Sequence, residues 1–169
     1  MDATRIIAIR HGETAWNVDS RLQGHLDIPL NDVGLWQARQ AALALADEPI
    51  DAIYSSDLQR AWVTARAIAE TTQAPLTAHQ GLRERSFGVL QGHTFEELEA
   101  KEPEQAYRWR KRDPAFAPAG AGAFGAVGAA PVGAPAGGSA CAVSHAMGTP
   151  KNSGSKPCQA IASTVPSDA

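Results

Sequence analysis

His11 stands in the stretch Arg10-His11-Gly12-Glu13-Thr14-Ala15-Trp16-Asn17, directly after the apolar run Ile6-Ile7-Ala8-Ile9. An imidazole is a competent nucleophile near neutral pH, because its ordinary pKa of about 6.5 leaves much of it uncharged there. Two further groups complete a chemical set. Arg60 supplies a planar, permanently charged donor fork, and Arg10 a second, both suited to the oxygens of a phosphate. Glu84 could give a proton to a leaving oxygen and afterwards take one from water. To do so it must be partly protonated at working pH, which requires burial or a nearby anion. These types together fit phosphoryl transfer, in which the repulsion between a dianion and its attacker must be offset by positive charge. Taken singly, each has an ordinary reading: a strand-end histidine, a surface helix arginine, a solvated loop carboxylate.

The elements that must position them are legible around them. The apolar run reads as a strand over about 4 to 10, with Gly12 permitting close backbone approach to a ligand. Arg21 to Leu30 is polar, punctuated by Gly24 and Pro29, and reads as an extended loop. Asn31 or Asp32 then caps a helix to about Ala46, with Leu35, Ala38, Ala42 and Leu45 on one apolar face. Ala52-Ile53-Tyr54-Ser55 reads as a second strand. Asp57 is expected to cap a second helix whose stripe is Leu58, Ala61, Trp62, Ala65, Ile68 and Ala69. Pro75-Leu76-Thr77 makes a third strand. Thr94 to Glu97 has capping-box spacing for a short helix, and Pro103 suits the first turn of another ending at Arg110-Lys111-Arg112. Cations at a helix C-terminus complement its dipole, which explains that basic run better than a nucleic-acid patch does.

Strand, helix, strand, helix in succession predicts an α/β fold with a mostly parallel sheet and right-handed crossovers. His11, Arg60 and Glu84 follow the first, second and third strands, so they share the carboxyl edge where open α/β sheets bind ligands.

Composition divides the chain. Residues 1 to 113 carry 13 of the 15 Lys+Arg and 17 of the 18 Asp+Glu, whereas 19 of the 22 residues from 117 to 138 are Ala, Gly or Pro. A domain over 1–120 and an Ala/Gly/Pro/Ser-rich tail over 121–169 are therefore expected, the tail without a packed core to order it. A formal charge of -3 gives no field favouring nucleic acid or a membrane surface. No run of apolar residues is long enough to span a bilayer, and Met1 to Arg5 lead straight into a strand without a signal-peptide pattern. Cys141 and Cys158 are too few for a disulfide framework or a zinc site, so a reducing, cytoplasmic setting is the default.

The ordered blocks resemble the histidine phosphatase superfamily, which includes cofactor-dependent phosphoglycerate mutases. The resemblance runs from Arg10–Asn17 through Leu22-Gln23-Gly24-His25-Leu26-Asp27-Ile28-Pro29-Leu30-Asn31 and Gly34. It continues in Ser55 to Ala61 with Thr64-Ala65, in Leu82-Arg83-Glu84 with Phe87-Gly88 and Gln91-Gly92, and in Trp109 to Gly120. It implies a three-layer, phosphoglycerate mutase-like sandwich whose C-terminal part is incomplete here. It also implies His11 as the phosphorylated nucleophile, Arg10, Asn17 and Arg60 on the phosphoryl group, Glu84 as proton donor, and Gln23 and Gly24 bordering the substrate. His25, His79 and His93 match no catalytic position and read as polar loop residues.

After Gly120 the resemblance stops. Val143-Ser144-His145 imitates a second-histidine motif, but it comes early and has Ala146 where glycine is expected, so a chance match is the better reading. The tract resembles a GC-rich gene translated out of frame, which suggests a frameshift.

Three functions follow. The first is a phosphatase of small phosphomonoesters, needing neither metal nor cofactor. The second is a 2,3-bisphosphoglycerate-dependent mutase, kept open by Arg108, Arg110 and Arg112. The third is an inactive remnant lacking a central strand. A small phosphorylated metabolite is the partner implied, with no nucleic acid or membrane; oligomeric state is open.

Overall fold

The computed structural model describes residues 4–111, 116–121, 139–144 and 161–165. Its centre is a five-stranded sheet of order β3-β2-β4-β1-β5. The strands are β1 (Thr4–Arg10), β2 (Ala52–Ser55), β3 (Leu76–Ala78), β4 (Ser139–Ser144) and β5 (Ile161–Val165). β1 to β4 are parallel, and β5 runs antiparallel along β1. The α/β, mostly parallel class is thus observed.

Of the region beyond residue 120, expected to lack regular structure, 139–144 and 161–165 are strands. Ser139-Ala140-Cys141-Ala142-Val143-Ser144 has a single β-branched residue, so local propensity does not announce β4. Its position does the work: β4 lies between β1 and β2, pairing Ile7 with Cys141 on one side and Ile53 with Cys141 on the other. Backbone groups of both neighbours are satisfied at once, and tertiary pairing overrides weak propensity. β4 thus takes the central place in the sheet order, between β2 and β1. His145, Cys158 and the remainder of the expected tail, with the frameshift idea that concerns it, lie outside the described residues.

Among the described residues five α-helices accompany the sheet: α1 (Ala15–Val18), α2 (Asp32–Ala44), α3 (Gln59–Thr72), α4 (Phe95–Lys101) and α5 (Pro103–Arg110). The Asn31 side chain accepts the Gly34 N–H to cap α2, as expected. Its buried face differs from expectation, however. Ala38, Ala42 and Leu45 are buried, but Leu35 is 37% exposed and Gly34 and Gln37 turn inward. Those two face the loop after β1, where the Glu13 N–H donates to Gln37 Oε1 at 2.8 Å. Ile7, Ile9 and Ile53 from the sheet meet Ala42 and Leu45 and, from α3, Ala61, Ala65 and Ile68 in one core. Among the described residues α2 and α3 cover one sheet face, while Ala8 is exposed on the other.

Asp57 does not cap α3. The helix starts at Gln59 with no cap from its own N-cap side chain, and Asp27, in the 21–30 loop, accepts the Gln59 N–H at 2.7 Å instead. Asp57 is held by a two-pronged ion pair with Arg83. A second small core, Phe87, Leu90, Leu98, Ala106 and Phe116, gathers α4, α5 and the 116–121 segment. The Thr94/Glu97 capping box closes with both reciprocal bonds. At the end of α5 Arg110 lies 4.4 Å above the Phe95 ring and pairs with Glu99, a structural use of that basic run.

Gly12 and Gly34 interlock the loop after β1 with the first turn of α2. A Cβ on Gly12 would overlap the Gly34 carbonyl, and one on Gly34 would overlap the Glu13 carbonyl. In an open helix, Gly→Ala stabilises by about 1 kcal/mol. Here the obstructing atoms are backbone, so Gly34→Ala should instead destabilise by about 2 kcal/mol through overpacking. The midpoint of urea unfolding measures it, and an unchanged or raised midpoint would refute the interlock.

Candidate active site

Because β1, β2 and β3 are parallel, the segments that follow them emerge at one edge. β4 points the same way, with Ser144 opposite Arg10. His11 is the first residue beyond β1 and is 5% exposed. Its Nδ1 lies 2.6 Å from the Gly12 carbonyl oxygen. A carbonyl can only accept, so Nδ1 carries the proton and Nε2 presents the lone pair. The Gly12 N–H is itself held by Thr64 Oγ1 at 3.1 Å, and that hydroxyl donates back to the Arg60 carbonyl at 2.8 Å. The histidine loop is thereby fastened to α3.

Burial pushes the His11 imidazole down to about 4; the Gly12 bond opposes this, while the charges of Arg60 and Arg10 push the same way. The ring is then neutral across the physiological range, as a nucleophile requires. Burial is also the largest influence on Glu84, raising its pKa against the Arg85 N–H bond and the charges of Arg60, Arg85 and Arg10. Arg60 and Arg10 act on both groups, so histidine, carboxyl and guanidinium groups share one electrostatic environment.

Arg60 is 1% exposed. Its Nη1 donates to the Leu26 carbonyl at 2.8 Å and its Nη2 to the Gly24 carbonyl at 2.7 Å. The guanidinium thus carries the 23–26 loop on its back. Gly24 has φ +55, and a Cβ there would strike the Gln91 amide and the Phe87 ring. Gln23 is 6% exposed, and its Oε1 is buried without a hydrogen-bond partner among the described residues. Asn17 closes a capping box on α1: its Oδ1 accepts from the Thr14 N–H and hydroxyl, both at 3.0 Å. Its acceptor is thus spent locally, leaving the amide donors as the end available to an anion.

Two contacts escaped the sequence reading. Arg85 sits beside Glu84 with its guanidinium 4.4 Å from the Trp109 ring and 5.1 Å from Phe87; an arginine two residues before an aromatic was the available signal. His25 is not merely a polar loop residue, since its Nε2 lies 2.7 Å from the Glu84 carbonyl oxygen. His79 and His93 do stay local, the first at a 3-10 turn and the second on Glu97.

Residues 6–129 match the sequence profile of the histidine phosphatase superfamily, branch 1. The chain belongs to that superfamily. A metal-independent phosphoserine phosphatase of Arabidopsis thaliana is 46% identical over 106 residues, 61% of this chain and 44% of that protein. A glucosyl-3-phosphoglycerate phosphatase of Mycolicibacterium vanbaalenii is 41% identical over 120 residues, 71% of this chain and 53% of that protein. The solved complex of a mycobacterial glucosyl-3-phosphoglycerate phosphatase with inorganic phosphate superposes with a TM-score of 0.69 at 30% identity, covering 85% of this chain and 73% of that one. The chain spans about half the length of the curated relatives it matches. No helix among the described residues is long and apolar enough to cross a membrane.

Burial of His11 ties its titration to the stability of the fold. Between about 4 and the ordinary 6.5, the unfolded chain holds a proton on His11 that the folded chain does not. Stability therefore rises with pH through that window and is lost as pH falls towards 4. Glu84 works oppositely, since its raised pKa makes the folded state the better proton binder above the ordinary glutamate range. Comparing wild type with His11→Asn cancels the Glu84 contribution. The difference should move by roughly 3 kcal/mol in favour of wild type between pH 4 and pH 7. Urea titrations across that range measure it; a flat difference would mean that His11 is not desolvated.

Proposed function

We propose that the chain is a phosphatase of small phosphomonoesters, acting through a phosphohistidine on His11. One observation carries the reading: the Nδ1–H to Gly12 carbonyl bond of a buried, neutral His11 leaves Nε2 as the attacking nitrogen. In this scheme Nε2 forms a bond to phosphorus as the ester P–O bond breaks, and Glu84 protonates the departing oxygen. Water then attacks the phosphohistidine, with Glu84 taking its proton. Arg10, Arg60 and the Asn17 amide would hold the phosphoryl oxygens. Gln23 would accept a hydrogen bond from the bound ester through its unpartnered oxygen, with Gly24 beside it. The two relatives, a phosphoserine phosphatase and a glucosyl-3-phosphoglycerate phosphatase, both act on small phosphorylated molecules, which supports this reading. The same substrate class suggests a cytoplasmic setting.

Mutase action needs a second anion site. Arg108 and Arg110 instead lie over Phe116 and Phe95, at 4.9 and 4.4 Å, which favours hydrolysis; Arg112 lies outside the described residues. The test is to incubate the purified chain with p-nitrophenyl phosphate and to measure both released phosphate and acid-labile, protein-bound phosphoryl. Both should be present. A folded chain giving neither would leave the inactive remnant as the reading.

A further inference from the structure

The geometry points to His25 as a positioning residue for Glu84: its imidazole, carried on the loop that Arg60 holds, fixes the backbone of the proton donor. The idea rests on the phosphatase reading above. His25 Nε2 lies 2.7 Å from the Glu84 carbonyl oxygen. The carbonyl accepts, so Nε2 carries the hydrogen in this bond whether the ring is neutral or charged. The histidine is itself fixed from several sides. Its N–H donates to Gln91 Oε1 at 2.7 Å. Arg60 donates to the carbonyls on either side of it, Gly24 and Leu26. One guanidinium thus sets the place of the His25 backbone, and His25 in turn sets the place of the Glu84 backbone.

The carboxyl group follows that backbone closely. Glu84 Oε1 accepts the N–H of the next residue, Arg85, at 3.0 Å, so a shift of the loop carries the carboxyl with it. A proton donor must stay within hydrogen-bond reach of the leaving oxygen, and a displacement of about 1 Å at such a group can cost a hundredfold in rate. The charged groups around the pair are Arg60, Arg85 and Arg10, which act on Glu84, and Asp57, which feels His25 and is paired with Arg83.

In the step concerned, the Nε2–P bond of His11 forms, the ester P–O bond breaks, and the Glu84 proton goes to the leaving oxygen, giving an alcohol and a carboxylate. Departure of a leaving group that needs no proton is insensitive to where Glu84 sits, and kcat/KM reports that step, whereas the later hydrolysis of the phosphohistidine, which uses Glu84 as base, enters only kcat. The experiment therefore compares 2,4-dinitrophenyl phosphate, whose phenolate departs unaided, with phenyl phosphate, whose phenolate does not. The variants are His25→Leu, which removes the donor, and His25→Gln, whose side-chain amide can still reach the carbonyl. His25→Leu should lower kcat/KM on phenyl phosphate about tenfold to a hundredfold while leaving kcat/KM on dinitrophenyl phosphate within about twofold, and His25→Gln should recover most of the loss. Equal losses on both substrates would show a merely structural role and overturn the proposal, as would no loss on either.

A second measurement does not depend on turnover. In the full chain labelled with 13C at the glutamate carboxyls, the Glu84 resonance should titrate above the ordinary glutamate range. In His25→Leu it should fall back towards that range as the loop loosens into water, and in His25→Gln it should stay. An unmoved Glu84 titration in His25→Leu overturns the positioning role. If wild type forms no phosphohistidine even from dinitrophenyl phosphate, the phosphatase reading fails, and the titration still decides whether His25 positions Glu84.

Discussion

His11→Ala is expected to lower turnover of an aryl phosphate by on the order of 10^4-fold or more, the scale seen when a covalent nucleophile is removed. Acid-labile phosphoryl bound to the protein should vanish with it. The size follows from what is lost. Without Nε2 there is no atom at that position to form the bond to phosphorus, and the arginines and Glu84 can only assist attack by water. Folding should survive. His11 is buried among groups that disfavour its protonation, and alanine removes a polar ring that burial makes costly, although the Gly12 carbonyl loses its donor. The fold is checked by far-ultraviolet circular dichroism and the chemistry by rapid acid quench with labelled substrate. A folded His11→Ala protein that keeps wild-type turnover would end the phosphohistidine mechanism. One that keeps turnover but loses the trapped phosphoryl would show that His11 is modified off the pathway.

How this fold was legible depended on the range of each interaction. β2 over Ala52–Ser55, the Thr94/Glu97 capping box and Pro103 at the start of α5 are written in neighbouring residues, and all three were readable. The cap of α3 was not. Asp57 has the right chemistry and place, but the α3 N–H is taken by Asp27, 32 residues away from Gln59, and Asp57 goes to Arg83. β4 was missed for a similar reason. Its small residues carry little strand preference, and what makes it a strand is the slot between β1 and β2. At the candidate site, residue types placed His11, Arg60 and Glu84 at one sheet edge, because parallel strands send every following segment the same way. The His25 contact was invisible, since its partner is a backbone atom 59 residues away; no side-chain pattern encodes a bond to a carbonyl that every residue possesses. Leu35 shows the same limit in reverse. Helical spacing placed it inside, but Gly34 and Gln37 were turned there by the loop they hold.

Arg60 carries the second large expectation, because the same guanidinium serves the fold and the proposed chemistry. It is buried, and it donates to two carbonyls of the 23–26 loop. Arg60→Met keeps much of the volume but leaves both carbonyls without their donor. Each such orphan costs about 1 to 3 kcal/mol when water cannot reach it, so a loss of about 3 kcal/mol in unfolding free energy is expected. Catalysis should fall further, on the order of 100- to 1000-fold in kcat/KM, the cost of removing one donor to charge that develops in the transition state. Arg60→Lys separates the two roles. An ammonium restores the charge but is a point donor rather than a fork, so it cannot hold two carbonyls and a phosphoryl oxygen together. It should regain part of the stability and little of the rate. Because the loop that Arg60 carries bears His25, its loss should also change the response to leaving group: Arg60→Met should lose more on phenyl phosphate than on dinitrophenyl phosphate. Urea unfolding and the two-substrate kinetics read these outcomes independently. If Arg60→Met is as stable as wild type, the bonds to Gly24 and Leu26 do not hold the loop. If it falls equally on both substrates, Arg60 acts on the phosphoryl group alone, and the loop does not transmit its position to Glu84.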